Sequence, residues 1–320
     1  VGLNALTLAT GTANTAFGTN ASAALTTAAT TTAIGYNALT LNTAAGNTAV
    51  GSTALAANTT GGANVALGNA ALSSNTVYSF NTALGASALQ GADGGQANTA
   101  VGSNALFGLS TGGSNTAVGR VALSSLLTGS NCTAMGVSSL SANLSSNMTA
   151  YGWNSLASNT SGTLNTAIGY ATLSTTIIGI GCTAVGYQAL TLSTGDSNTA
   201  VGANSLDTLS TGAGNTAVGT NALTLQSTSA NATAVGFNCM PANTAASNTG
   251  VGAQCMLLNT SGIQNTALGF NTLATNLSGA SNTAIGFNAL SLATGSNNTA
   301  VGSTALSLAT GSNNTAVGST

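Results

Sequence analysis

A short alternation of polar and apolar positions recurs through the whole chain. In residues 98–102 (NTAVG), a large apolar residue stands directly before a glycine, and a threonine stands two positions before that residue. The glycine returns at intervals of 16 or 17 residues from Gly2 to Gly318. A short fixed period of this kind is the signature of a solenoid, in which each unit buries its apolar face against its neighbours.

Each repeat contains two segments that predict short strands. The alternation of Thr, Ala and a large aliphatic residue is typical of a β-strand. Four residues after the glycine a leucine stands in most repeats, and a second apolar residue often follows two positions later, as with Leu190 and Leu192. Glycine and asparagine between these segments favour turns because they tolerate positive φ.

The length of the repeat selects the fold class. Helical repeats need about 33 residues or more, whereas two short strands and two turns fit in half that length. The sequence therefore predicts an all-β protein, a parallel β-solenoid or thin β-roll of about 20 rungs with 16–17 residues each and two short strands per rung. No composition shift marks a boundary, so we expect residues 1–320 to form a single continuous repeat array, a segment of a longer fibre.

The two faces of the first strand leave two arrangements open, because successive side chains of a strand point in opposite directions. Thr and the aliphatic residue can fill the core opposite the leucine column, with Ala outward, or Ala can point into a very thin roll with Thr and Val outward. An outward column that stays Ala favours contact with identical chains around a common axis. The first arrangement predicts an inter-chain face made of Ala100, Ala117, Ala134, Ala150, Ala167, Ala184, Ala200 and Ala217.

The charged residues are too few for most chemistry. The chain has one basic residue, Arg120, three acidic residues and no histidine. Paired carboxylates, nucleophile–histidine pairs, Schiff-base lysines and metal-ligand clusters therefore lack their parts, and we expect no enzymatic activity, cofactor or metal. One cation cannot neutralise nucleic-acid phosphates. Polar residues interrupt every apolar run before the ~20 residues that a membrane span requires, so we expect no membrane insertion.

Aromatic residues concentrate at one repeat position. Seven of the 12 stand directly after the motif glycine, and Trp153, Tyr170 and Tyr187 do so in three consecutive repeats. Stacked rungs would bring these three rings into a ladder. Such a ladder could contact a cell-surface glycan or another host surface; the alternative is stacking for stability or packing between chains.

Four cysteines occupy two repeat positions. Cys239 and Cys255 stand at the same position of adjacent repeats, where register alone would place their Cα atoms ~5 Å apart, within disulfide range. A disulfide and two free buried thiols both stay open, because Ala often fills this column elsewhere. Cys132 and Cys182 replace the asparagine that precedes Thr in most repeats. We expect that asparagine column to form a ladder between rungs.

The repeat resembles known fibre repeats. Residues 198–202 (NTAVG) are similar to the S-V-A-I-G-x-x-A repeat of YadA-like heads in trimeric autotransporter adhesins, and residues 183–190 (TAVGYQAL) look closer still to repeat arrays of phage and large-virus tail fibres. The resemblance covers the whole chain and implies a trimeric β-roll that displays or performs adhesion. The YadA-like repeat is shorter and often has Val where this chain has Thr.

The sequence as a whole favours a structural or adhesive fibre segment. We expect a homotrimer outside the cell, on a cell surface or on a virion, with other copies of itself and a host surface or glycan as partners. One alternative is an ice-binding β-solenoid, which would gain support from an outward, flat face of Thr and Val. A second alternative, a self-polymerising sheath or matrix filament, shares the fold and differs in its lateral contacts.

Overall fold

The computed structural model describes residues 1–91, 95–176 and 178–319. Throughout these ranges the chain is an all-β parallel β-solenoid with one strand per rung and no helix. The fold divides into two compact units, Val1–Leu164 and Asn165–Thr320, which are described separately. The prediction of one continuous array from residue 1 to 320 stays a prediction.

In the first unit the strands pair in parallel and in sequence order. The register never slips, since equivalent positions of successive strands lie side by side. Between β6 (Thr99–Val101) and β7 (Thr116–Val118), Thr lies beside Thr, Ala beside Ala and Val beside Val. The other strands of this unit are β1 (Thr15–Phe17), β2 (Thr32–Ile34), β3 (Thr48–Val50), β4 (Val65–Leu67), β5 (Thr82–Leu84), β8 (Thr133–Met135) and β9 (Thr149–Tyr151).

The second unit repeats the same arrangement. Its strands are also parallel and in register, as between β12 (Thr199–Val201) and β13 (Thr216–Val218). The others are β10 (Thr166–Ile168), β11 (Thr183–Val185), β14 (Thr233–Val235), β15 (Thr249–Val251), β16 (Thr266–Leu268), β17 (Thr283–Ile285), β18 (Thr299–Val301) and β19 (Thr315–Val317).

The central residue of each strand points into the roll. Ala100 is fully buried within the single chain, while Thr99 and Val101 on either side of it are partly exposed. The predicted inter-chain face on the alanine column is therefore wrong, and the alternative arrangement is the one adopted. All of the alanines assigned to that face are 0% exposed: Ala100, Ala117, Ala134, Ala150, Ala167, Ala184, Ala200 and Ala217.

The reason is the volume inside a rung. The leucines that follow the motif glycine, such as Leu106 and Leu123, are also fully buried. A rung of 16 or 17 residues encloses little space. Because protein interiors are close-packed, a layer of leucine on one side leaves room only for a methyl group on the other.

The predicted second strand is wrong, because the leucine segment is a series of turns. Asn104 and Leu106 have φ of 57° and 50°, in the left-handed region. The backbone still pairs with both neighbouring rungs, since the Asn104 N–H donates to Ala86 O at 3.0 Å and the Leu106 N–H to Ala122 O at 2.9 Å. This segment thus has the alternating sequence pattern of a strand but the backbone of consecutive turns.

The exposure of its side chains also distinguishes the leucine segment from a strand. Residues two apart on a strand lie on the same face. Leu190 is fully buried, yet Leu192 is 47% exposed. Leucine in the left-handed region costs about 1–2 kcal/mol, and full burial of its side chain contributes about 1.5–3 kcal/mol. Burial therefore offsets the strain, and leucine is retained where glycine or asparagine would be less strained.

Buried asparagines connect successive rungs. The Asn98 Oδ1 accepts a hydrogen bond from the Asn115 N–H at 3.0 Å, and its Nδ2 donates to Gly112 O at 3.1 Å. Nδ2 also lies 3.2 Å from Asn81 Oδ1. The predicted ladder of side-chain amides is confirmed only in part: the asparagines connect the rungs, but their main partner is the backbone of the next rung and not the next amide. Each amide thereby satisfies polar groups that would be costly to bury unpaired.

The motif glycines are required by contact as well as by φ. Gly202 has φ of 132°, and a Cβ on it would lie 2.6 Å from the carbonyl oxygen of Gly219 in the next rung. Gly311 has an ordinary φ, and a Cβ there would meet only Asn314 Nδ2 at 3.4 Å. These two glycines of the second unit form a matched pair.

We expect Gly202→Ala to lower the free energy of unfolding by about 3 kcal/mol, because it adds backbone strain and a clash between rungs. Gly311→Ala should change it by less than about 0.5 kcal/mol. Denaturant unfolding followed by circular dichroism measures both. Equal effects of the two substitutions would show that the glycine contact does not limit rung spacing.

Candidate interaction surface

In each unit the first and third residues of the strands form one surface, which we call the outer strand face. Its first column is Thr, with Val65 as the exception, and its second column is a large apolar residue in every strand. In-register pairing places successive members of each column about 4.8 Å apart. The most exposed apolar members are Phe17, Ile34, Val65, Leu67, Leu84, Met135 and Tyr151 in the first unit and Ile168, Val251, Leu268 and Val317 in the second.

A second set of exposed apolar side chains lies two positions further along the chain, directly after the motif glycine. Its aromatic members are 44–56% exposed, so they extend the apolar character of the outer strand face. They are Tyr36 and Trp153 in the first unit and Tyr170, Tyr187, Phe237, Phe270 and Phe287 in the second.

Adjacent aromatic residues in this column stack on each other. The ring centroids of Tyr170 and Tyr187 are 5.1 Å apart with 10° between the planes, and those of Phe270 and Phe287 are 5.7 Å apart with 12°. A stacked ring turns one of its faces to its neighbour, and Tyr170 and Tyr187 stay 44% and 51% exposed. Trp153, in the first unit, is 46% exposed.

Few charges accompany this surface. Every side chain of the outer strand face is Thr, Val, Ile, Leu, Met, Phe or Tyr. Arg120 follows Gly119 and occupies the column that holds aromatic residues elsewhere. Asp196 caps a turn, where its Oδ1 accepts a hydrogen bond from the Ile180 N–H at 2.8 Å. Asp93 lies outside the described residues.

The described residues contain no cluster of three or more metal-ligating side chains and no enclosed pocket. Over the same ranges no helix has the length and apolar character needed to cross a membrane. Among the described residues, the outer strand face is therefore the main candidate interaction surface.

The cysteines lie inside the roll. Cys239 and Cys255 form a disulfide between adjacent rungs, with their Cα atoms 4.9 Å apart. Cys132 and Cys182 are free and buried. Each of these thiols takes over the donor role of the asparagine that it replaces: Cys132 Sγ donates to Ser145 O and Cys182 Sγ to Gly195 O, both at 3.2 Å.

Burial changes the chemistry of the two free thiols. It is the main cause that raises the pKa of Cys132 and of Cys182, and the negative charge of Asp196 raises the pKa of Cys182 further. The neutral thiol is a weak nucleophile and only the thiolate reacts. These side chains are therefore packing and hydrogen-bonding groups.

Comparison with protein-family models, with curated proteins and with solved structures found no match for this chain. The resemblance to YadA-like and tail-fibre repeats rests on the repeat phrases themselves.

We expect the native protein, without reductant, to show no thiol that reacts with a chromogenic disulfide reagent at pH 8, and two after unfolding in guanidinium. Four reactive thiols after unfolding would mean that Cys239 and Cys255 are not bonded.

Because burial raises the folded-state pKa of Cys132 and Cys182, the free energy of unfolding should fall as pH rises through the ordinary thiol range. A Cys132→Ser, Cys182→Ser variant should lose this pH dependence.

Proposed function

We propose that this chain is a structural segment of an extracellular or virion-surface fibre, that it assembles as a homotrimer through the outer strand face, and that the fibre displays or performs surface attachment. The observation that carries the proposal is the uncharged outer strand face, whose column of large apolar side chains is exposed in the single chain. A surface of this kind is expected to have a partner.

Monomeric proteins rarely expose contiguous apolar patches larger than a few hundred Å², and larger patches mark interaction sites. The centre of an interface is depleted of charged residues and enriched in aromatic residues and methionine. The outer strand face has this composition, with Phe17, Met135 and Tyr151 among its members. Leaving it in water in every rung would forgo stabilisation of about 25 cal/mol for each Å² of apolar area.

The proposed partner is another copy of the same chain. Within each unit the outer strand face repeats at a constant spacing, because successive strands there keep the same register, as in β6–β7 and β12–β13. A second copy of the chain presents the same columns at the same spacing, so two copies match rung for rung without a separate partner sequence. Cyclic packing of identical chains satisfies this match in a closed form. The choice of three copies comes from the resemblance to trimeric fibre repeats.

The proposed location of the fibre is outside the cell. With one arginine and no lysine, the chain offers trypsin-like proteases almost no cleavage site. The backbone of each rung is paired with its neighbours both in the strand and in the leucine turns. A protein with these properties suits exposure to a protease-containing exterior, where the attachment target would be a host surface or a glycan.

Ice binding is the second candidate, and the exposed Thr column favours it. Ice binding would require a face of Thr and Val that points outward and is flat. The first requirement is met, because Thr and Val both point out of the roll. The second requirement, flatness, is not met. The apolar column changes from Val50 to Met135 and Tyr151, so its side chains differ in height from rung to rung. A surface that orders water as a lattice needs equal side chains, whereas a protein interface accommodates different ones.

A sheath or matrix filament would use the same face in an open arrangement. A heterologous contact that does not close produces a filament of undefined length, whereas a closed ring has a defined mass. The mass of the assembly in solution therefore separates the trimer from the filament.

We expect the wild-type chain to have three times its 30.2 kDa mass in solution by light scattering after gel filtration. Val201→Glu with Val218→Glu should give a monomer, because two carboxylates per chain would be buried in the interface without partners. Leu192→Glu with Leu225→Glu is the matched control, since these exposed leucines lie in the turn segment, and this variant should stay trimeric. A monomeric wild type would contradict the proposal.

The same preparations test the second candidate. The proposal expects no effect of the wild-type chain on the shape or the freezing point of an ice crystal. A freezing-point depression that Thr199→Lys with Thr216→Lys abolishes, in a wild-type chain that is monomeric, would replace the fibre assignment with ice binding.

A further inference from the structure

The rungs of β14 and β15 depart from the repeat at five positions that meet inside the roll. Cys239 and Cys255 stand where other rungs have Ala, Ser or Thr, and each is followed by methionine, Met240 or Met256, where leucine is usual. Gly250 is the one strand centre that is not alanine. We infer that these five residues form one co-adapted cross-linking site, and that the working form of the chain carries the Cys239–Cys255 disulfide. This inference is independent of the proposed fibre function.

Space, and not backbone conformation, explains Gly250. Its φ is not in the positive range that favours glycine. A Cβ at this position would lie 2.8 Å from the Sγ atoms of both Cys239 and Cys255. Real Cβ atoms do not approach other heavy atoms so closely. The alanine found in every other strand would therefore overlap the disulfide, and the missing methyl group provides the volume that the two sulfur atoms occupy.

The methionines fill the rest of the altered space. Met240 and Met256 are fully buried. The Met256 Cε would lie 3.3 Å from a Cβ on residue 250, so this side chain borders the same volume. Methionine is unbranched and flexible, and it fills irregular gaps that branched leucine cannot. The two substitutions adjust the leucine layer to the sulfur atoms opposite Gly250.

The comparison that supports a cross-link is with the same repeat position in other rungs. Where that position holds Ala, Ser or Thr, the strand centre is alanine, as with Ala105 and Ala100 or Ser205 and Ala200. The glycine appears where two sulfur atoms from adjacent rungs meet. Cys132 and Cys182 stand at the asparagine position instead, where each is hydrogen-bonded to a carbonyl group.

The bond forms by thiol–disulfide exchange. The two thiols lose two protons and two electrons as the sulfur–sulfur bond forms, and a disulfide-bearing small molecule or protein accepts the electrons and is reduced to two thiols. Both cysteines are 0% exposed in the closed roll. Exchange must therefore take place before these rungs close, and a reductant cannot reach the bond afterwards. Such a bond belongs to a protein that folds in an oxidising compartment.

A double-mutant cycle tests the site. Wild type, Gly250→Ala, Cys239→Ala with Cys255→Ala, and the triple variant are refolded with oxidised and reduced glutathione, and their Tm values are compared. We expect Gly250→Ala to lower Tm or to prevent folding when the cysteines are present, because its methyl group overlaps the sulfur atoms. In the Cys→Ala background the same substitution should leave Tm unchanged or raise it, because it restores the common alanine column.

Two results would overturn the inference. One is an equal loss of Tm, or an equal failure to fold, from Gly250→Ala in both backgrounds. The other is four alkylated cysteines in the wild-type chain after refolding, unfolding and alkylation without reductant, as counted by mass spectrometry. That count does not depend on the stability of any variant, and neither result bears on whether the wild-type chain is a trimer.

Discussion

The volume enclosed by one rung is the constraint on which the rest of the structure depends. Leucine fills one side, so the strand opposite can place only alanine in the interior. Because the strand alternates, that choice sends Thr and the large aliphatic residue outward. The roll therefore carries more apolar bulk on its surface than in the strand side of its core. The exposed face, the strained leucines and the glycine beside the disulfide are all consequences of this narrow interior.

The period and the glycine spacing were sufficient to predict a parallel solenoid, because stacking at a fixed repeat leaves few other folds. The orientation of the strand was not predictable from alternation, which defines two faces without saying which is inside. A signal was nevertheless present. The alanine column hardly varies, while the column represented by Val50 and Tyr151 changes in size from rung to rung. Constancy marks a confined volume, and variation in size marks a position that is free to expand outward.

The other differences have equally local causes. The leucine segment has the sequence alternation of a strand, but Asn104 and Leu106 are left-handed, so the backbone forms turns and residues two apart do not share a face. The register that brings Cys239 to Cys255 followed from the period. The meaning of Gly250 did not, because the missing methyl group in the alanine column has no explanation until the positions of the two sulfur atoms are known.

The asparagine column gives the array a direction. Each side chain accepts from the N–H of the following rung and donates to a carbonyl of that rung, so the upper and lower surfaces of a rung are complementary and not identical. A rung is in this sense a template for its successor. When recombination between similar repeats in the gene removes or adds one whole repeat, the new neighbours meet through the same donor and acceptor groups. Evolution can therefore change the length of such a protein in single steps while the hydrogen bonds between asparagine-bearing rungs stay the same.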